Sequence, residues 1–162
     1  MARSPHHRED LLAEATAMPE RGEFWLDEGP SDGELDVHVI GFRRSGAASL
    51  YFGEQPVLHF DPEGRLRRLF HDDQQILAAG GKLELRRRGD DGARMSGQRI
   101  PLDQASSDAL LAALNDRLQG CLDAIAEGRV RWGRVTVETD AFVARVLRWR
   151  QSVGSTLRVG DL

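Results

Sequence analysis

The sequence is poor in cysteine and in long apolar runs, and each scarcity excludes a class of protein. Cys121 is the single cysteine among 162 residues, so the chain forms neither an intrachain disulfide framework nor a Cys-x-x-Cys metal or redox motif. No apolar run approaches the roughly 18 residues of a membrane span, and no apolar stretch follows the polar first ten residues as in a secretory signal. We therefore expect a cytoplasmic protein with no membrane partner.

Sequence motifs for nucleotide binding and for nucleophilic catalysis are also missing. The chain contains neither G-x-x-x-x-G-K-[ST] nor G-x-G-x-x-G, and its only lysine, Lys82, opens a predicted strand. No G-x-S-x-G is present, and Cys121 falls within an apolar helical stripe, which is typical of a small buried residue. The sequence therefore predicts no cofactor.

Arginine supplies nearly all of the positive charge, and the two signs of charge are segregated along the chain. The net charge is −4 overall, −6 over residues 1–34 and +4 over residues 129–150. The arginine content has two interpretations: the coding bias of a GC-rich genome, or selection for bidentate contacts with phosphate and carboxylate. The alternation of acidic and basic segments predicts that they pair across the fold or solvate its surface.

Residues 35–88 predict an antiparallel β-meander of about five to seven strands, because short apolar-rich runs alternate there with turn-forming clusters. The clearest cluster is Asp61-Pro62-Glu63-Gly64. It suits a type I turn, since Asp accepts backbone N–H groups, Pro presets φ and Gly takes the fourth position. The connections are too short for crossover helices, so neighbouring strands should be antiparallel. One face of this sheet should be apolar and need a cover.

A long amphipathic helix over residues 106–127 is predicted to provide that cover. Ser106 or Ser107 can cap its N-terminus, and Gly128 suits the position just past its C-terminus. Apolar residues recur on it at three- and four-residue steps and form one stripe: Leu110, Leu114, Leu118, Cys121, Leu122 and Ile125.

Shorter elements complete a single α+β domain over residues 1–162. A helix is predicted over residues 8–18, ended by Pro19, and a C-terminal helix over residues 140–151, capped by Thr139 or Asp140. The glycine-rich residues 89–97 are expected to form a mobile loop, and residues 155–162 a tail.

Aromatic and arginine residues are the candidates for an interaction surface. A tryptophan that stays exposed would anchor an interface, whereas the alternative for each tryptophan is a place in the core. Arginines interleaved with aromatics on a sheet are also used by binders of single-stranded RNA, although the acidic net charge disfavours nucleic acid here. The candidates are Trp25, Trp132, Trp149, Arg43, Arg44, Arg67, Arg86 and Arg88.

Histidines on or beside the predicted strands form a second constellation. Antiparallel pairing can bring two imidazoles together, and imidazoles with a carboxylate ligate zinc or a similar metal. The candidate ligands are His38, His59, His71 and Asp72, although their spacing matches no metal motif and His71-Asp72-Asp73 is also a turn sequence.

The leading hypothesis is a non-enzymatic protein-interaction module, such as an adaptor, chaperone-like or inhibitory protein. It would act on another protein, or on a second copy of itself, through a sheet face or edge or through the C-terminal helix. Binding of RNA or single-stranded nucleic acid is the alternative hypothesis. A metal-dependent enzyme that uses the strand histidines is the second alternative.

Overall fold

The described residues form one antiparallel sheet of nine strands with two helices. The computed structural model describes residues 17–27, 37–53, 57–71, 74–79, 82–88 and 95–160. Within these ranges the sheet order is β8-β7-β6-β5-β4-β3-β2-β1-β9. The elements are β1 (Glu20–Leu26), β2 (His38–Phe42), β3 (Ala48–Phe52), β4 (Val57–Phe60), β5 (Leu66–His71), β6 (Gln74–Ala79), β7 (Lys82–Arg88), β8 (Met95–Pro101), α1 (Gln104–Ala126), β9 (Val130–Val135) and α2 (Thr139–Val153).

The α+β class and the antiparallel meander are confirmed, but the sheet is larger than predicted. Six strands, β2 to β7, fall within residues 35–88, and three strands from outside that range extend the sheet at its edges. Strand β8 pairs with β7, whereas β1 pairs with β2 and β9 pairs with β1. The edge strands of a meander offer unpaired backbone N–H and C=O groups, so flanking segments join them readily. The total of five to seven strands was therefore too low.

Alternate residues of the strands build the core on one face, which we call the helix-covered face. An irregularity in β5 interrupts the alternation there: Leu66 pairs with Phe60 and Arg68 with His59, so Arg67 is an extra residue in β5. This bulge lets Leu66 and Leu69 both point to the core. The buried apolar strand residues of this face are Phe24, Ile40, Phe42, Ala48, Leu50, Phe52, Leu58, Phe60, Leu66, Leu69, Ile76, Ala78 and Leu83.

Helix α1 covers this face as predicted, although it begins two residues earlier. Asp103, rather than Ser106 or Ser107, is the N-cap, and its carboxylate accepts a hydrogen bond from the Ser106 backbone N–H at 2.7 Å. Leu114, Leu118, Cys121, Leu122 and Ile125 are buried in the core, and Leu110 is partly buried against it. Gly128 follows the helix at φ +72°, the left-handed conformation that the sequence predicted for it.

Helix α2 runs from Thr139 to Val153 and is longer than the predicted 140–151. Glu138 is its N-cap, because the side-chain oxygens accept from the backbone N–H groups of Asp140 and Ala141. Neither helix of the described residues combines the length and the apolarity that a membrane span requires.

The predicted tail returns to the sheet. Leu157 is buried, and residues 158–160 bracket Leu66 of β5: the Leu66 N–H donates to Arg158 O at 2.7 Å, and the Gly160 N–H donates to Leu66 O at 2.8 Å. Val159 forms the corresponding parallel bridge. The described part of residues 155–162 is therefore anchored by backbone hydrogen bonds, with Leu157 buried and Val159 partly buried against the core.

Two predicted elements fall largely outside the described residues. Of the predicted helix over residues 8–18 only Ala17 and Met18 are described, and they lie in a turn. Residues 89–94 of the predicted loop are outside the described ranges, whereas its last three residues belong to β8.

Candidate functional site

A cleft of about 190 Å³ opens where α2 meets two hairpin turns at one end of the sheet. We call it the α2 cleft. Two buried aromatic residues, Phe42 and Trp149, line it from the core side. The β2–β3 turn contributes Gly46, the β4–β5 turn contributes Pro62, and α2 also contributes Arg145, Arg148 and Ser152.

The meander places the two turns side by side, because β2–β3 and β4–β5 reverse direction at the same end of the sheet. In the first turn the Gly46 N–H donates to Arg43 O at 2.9 Å. In the second, the Asp61 carboxylate accepts the backbone N–H groups of Glu63 and Arg65, as the Asp-Pro-Glu-Gly sequence predicted. The turns are close enough that a Cβ added at Gly46 would lie 3.6 Å from Cβ of Pro62.

Trp149 is a core residue that also borders the cleft. Its indole packs edge-on against Phe42 and Phe60, with ring centroids 6.0 and 5.1 Å away, and the residue is 6% exposed. The indole Nε1 is buried and has no hydrogen-bond acceptor among the described residues. Leaving a buried donor without an acceptor costs roughly 1–3 kcal/mol.

Two arginine side chains of α2 line the cleft, and two more arginines lie in the β2–β3 turn beside it. The Arg145 guanidinium lies 4.8 Å from the Phe42 ring centroid, and its Nε is 3.2 Å from Glu20 Oε2, so its charge is already engaged. Arg148, three residues further along α2, is exposed and forms no ion pair with any other described residue. Arg43 and Arg44 are exposed in the turn that ends at Gly46. The structure thus brings three predicted candidates, Arg43, Arg44 and Trp149, to one end of the sheet.

The other two tryptophans pack within the fold. Trp132 is half-buried between Phe24 and Phe142, with ring centroids 5.3 and 5.6 Å away. Trp25 is half-buried on the opposite side of the sheet, where a Cβ at Gly133 would lie 2.5 Å from its Cζ3. Of the three tryptophans, Trp149 is therefore buried in the core, and Trp25 and Trp132 are half-buried against other residues of the fold.

The remaining arginine candidates do not join the α2 cleft. Arg67 pairs with Asp61, with Nε 2.9 Å from Oδ2, and so holds the second turn together. Arg86 is half-buried on the sheet face that the helices leave uncovered, and the side chain of Arg88 lies outside the described residues.

The structure does not bring His38 and His59 together. His38 lies on the helix-covered face, with its ring 5.3 Å from Phe24 and 6.0 Å from Phe52. His59 lies on the opposite face, where its Nδ1 is 2.7 Å from Ser49 Oγ. The His71 side chain and Asp72 are outside the described residues. A metal site that includes both His38 and His59 is incompatible with this arrangement, because the sheet separates the two imidazoles.

The Ser49–His59 contact is a buried polar pair in mid-sheet. Both residues are more than nine-tenths buried and are cross-strand partners between β3 and β4. Acyl transfer needs backbone N–H groups aimed at the developing oxyanion, whereas interior strand N–H groups are committed to the ladder. The pair is therefore better suited to joining two strands than to nucleophilic catalysis.

The face opposite the helices carries two mixed rows of side chains. Its centre is buried: Val39, Tyr51 and Val57 form a small cluster of their own. Basic and acidic residues occur together along the rows, so no single sign of charge dominates this face. Strand register places Arg21, Gly41, Ser49, His59, Arg68, Leu77 and Glu84 in one row, and Glu23, Val39, Tyr51, Val57, Phe70, Gln75 and Arg86 in the other.

A larger groove of about 500 Å³ runs between α1 and α2, and two of its polar side chains are already engaged. Arg150 forms an ion pair with Asp123, and Gln119 Nε2 donates to Gly154 O at 3.0 Å. The smaller α2 cleft is the better candidate, because an exposed arginine lines it beside two buried aromatic residues.

Sequence reasoning did not single out Arg145 and Arg148 as candidates. Arg145 in fact covers Phe42, because residues four apart share a helix face and Arg145 precedes Trp149 by four. That spacing was the signal available in the sequence. Comparison of the chain with family models, with characterised proteins and with solved structures finds no match in any of the three.

Proposed function

We propose that this protein is a non-enzymatic protein-interaction module that engages a partner through the α2 cleft and the arginine-bearing β2–β3 turn beside it. One observation carries the proposal: exposed cationic side chains flank a cleft with a rigid aromatic floor. Arginine and aromatic residues in a desolvated pocket are the features of interface hot spots. Its composition and single cysteine support a cytoplasmic location.

A protein partner is a better match than nucleic acid for this surface. The chain has a net charge of −4, and nucleic-acid binders depend on a continuous basic surface that neutralises several phosphates. On the sheet, Arg68 and Arg86 share their face with Glu23 and Glu84. The positive charge at the α2 cleft is local, which suits a short acidic segment of a protein surface.

Capture from native lysate, with charge-reversal variants, tests the proposal. The affinity of the Arg43→Glu/Arg44→Glu double variant for a captured protein should fall roughly ten-fold or more, because attractive charges become repulsive. A ten-fold loss corresponds to about 1.4 kcal/mol of binding free energy. Arg131→Glu/Arg134→Glu, which changes two exposed arginines on the edge strand β9, is the matched control and should retain it.

Nuclease treatment and size-exclusion chromatography complete the test. A protein partner should remain bound after nuclease treatment, and a second copy of the chain would appear as a dimer that the turn variant dissociates. Equal capture by both double variants would refute the assignment to this end of the sheet. Loss of binding after nuclease treatment would favour nucleic acid instead.

A further inference from the structure

We infer that the sheet face opposite the helices is a docking surface, and that its occupant is the chain's own N-terminal segment, residues 8–16. In this inference the apolar side chains of the segment pack on the buried cluster of Val39, Tyr51 and Val57. The inference goes beyond the proposed function, because it concerns the face of the sheet away from the α2 cleft. A partner could reach this face only by displacing the segment.

The first observation is the burial of the face. Val39, Tyr51 and Val57 are 2%, 6% and 5% exposed, and they are direct cross-strand neighbours on β2, β3 and β4. Helices α1 and α2 pack on the helix-covered face, so they do not bury this cluster. Side chains stand roughly perpendicular to a sheet, and their outer ends stay open to water unless other atoms lie above them. A further part of the chain therefore lies over the cluster.

The second observation is the position of Met18, which shows where that cover begins. Met18 is 5% exposed, and its thioether fills the space that a Cβ at Gly41 would take. Strand register places Gly41 two residues from Val39 on the same face. The chain thus enters β1 from above this face, and residues 1–16 lie directly before that point.

The third observation is that the length of the segment matches the width of the cluster. Val57 lies two strands from Val39, which is roughly 10 Å across the sheet. The segment 8–16 would span roughly 14 Å as the helix that its sequence predicts, so a path that starts at Met18 reaches across the cluster.

The fourth observation is the apolar pattern of the segment. Leu11, Leu12 and Ala15 recur at helical spacing and share one side of the predicted helix. A helix this short is not stable alone in water, so it needs an apolar surface. The connection between β1 and β2, residues 28–36, is a poorer cover, because it contains four carboxylates and Leu35 is its one large aliphatic residue.

The test is nuclear Overhauser spectroscopy on the full chain with ¹³C-labelled leucine methyl groups. We expect contacts between the methyl groups of Leu11 or Leu12 and the ring of Tyr51. The ring signals are unambiguous, because Tyr51 is the only tyrosine in the chain.

Two variants test the energetic side of the inference. Leu12→Asp should remove these contacts and lower the urea midpoint, because a charged group does not pack on an apolar cluster. Ala13→Asp is the matched control and should retain both the contacts and the midpoint, because residue 13 lies on the opposite side of the predicted helix. The contacts in the parent protein decide the question even if Leu12→Asp fails to fold.

Three results would overturn the inference. The first is the absence of any contact between the Tyr51 ring and residues 8–16, and the second is an equal urea midpoint for Leu12→Asp and Ala13→Asp. The third is a contact that appears only between labelled and unlabelled chains in a mixed sample, because the occupant would then be a second copy. The capture experiment concerns the β2–β3 turn, so failure of either experiment leaves the other intact.

Discussion

Gly64 offers a quantitative test of how the β4–β5 turn abuts α2. It sits at φ +83°, and a Cβ there would lie 2.6 Å from the carbonyl carbon of Ser152 and 2.9 Å from the backbone nitrogen of Val153. A left-handed conformation costs an alanine roughly 1–2 kcal/mol. Alanine also lowers the conformational entropy of the unfolded chain, which offsets roughly 0.4–1 kcal/mol of that cost. The backbone clash adds about 1–3 kcal/mol, because backbone cannot rotate away as a side chain can. We expect Gly64→Ala to destabilise the fold by about 3 kcal/mol.

Two other glycines separate these contributions. Gly128 has φ +72° with no atom within 4 Å of a Cβ, so Gly128→Ala should cost only about 1 kcal/mol. Gly120 lies exposed within α1 in an ordinary conformation, so Gly120→Ala should stabilise the fold by about 0.5–1 kcal/mol.

Thermal and urea unfolding followed by circular dichroism measure all three variants. At roughly 2–4 °C per kcal/mol for a chain of this size, Gly64→Ala should lower Tm by about 6–12 °C and Gly128→Ala by about 2–4 °C. If Gly64→Ala costs no more than Gly128→Ala, the turn does not press on the end of α2. The description of the cleft between them would then be refuted.

Two further predictions concern titratable groups. Burial raises the pKa of the Cys121 thiol to about 12, so iodoacetamide at pH 8 should label Cys121 only after unfolding. The free energy of unfolding should fall between about pH 9 and 12, because the thiol ionises in the unfolded chain before it ionises in the native one. Labelling of the native protein within minutes, detected by mass spectrometry, would contradict this. Burial would raise the pKa of the Asp61 carboxyl, but hydrogen bonds from Arg65 and Arg67 outweigh it and hold the pKa below 3.8. Asp61→Asn should therefore destabilise the fold by about 1 kcal/mol or less at pH 7, and the variant should lose less stability than the parent protein as the pH falls below 4. The control Asp116→Asn changes an exposed carboxylate and should show neither effect. Equal urea midpoints for the two variants across pH 2–7 would argue against this.

Strand and helix periodicity accounted for much of the fold because it reports local geometry. The turn at Asp61–Gly64 and the buried stripe of α1 follow from residues only a few positions apart, and both occur as predicted. Helix starts were less accurate. The cap Asp103 replaced the predicted Ser106 or Ser107, and the cap Glu138 replaced the predicted Thr139 or Asp140. Several adjacent residues offer a suitable oxygen, and only backbone geometry selects one.

The candidate site was only partly visible in the sequence. Arg43, Arg44 and Trp149 were chosen for their side-chain chemistry, but nothing local indicated that a turn after β2 lies beside a helix a hundred residues later. The histidines illustrate the converse, because His38 and His59, which strand pairing could have brought together, lie on opposite faces of the sheet.

What the sequence determined by itself was the class of the fold, since the alternation of apolar runs, the turn chemistry and the helical stripe each depend on neighbours within one element. Tertiary structure decided the extent of the sheet, the docking of residues 158–160 on Leu66 and the assembly of the α2 cleft. Each of these depends on edge pairing and close packing between distant segments, and such contacts leave no period in the chain.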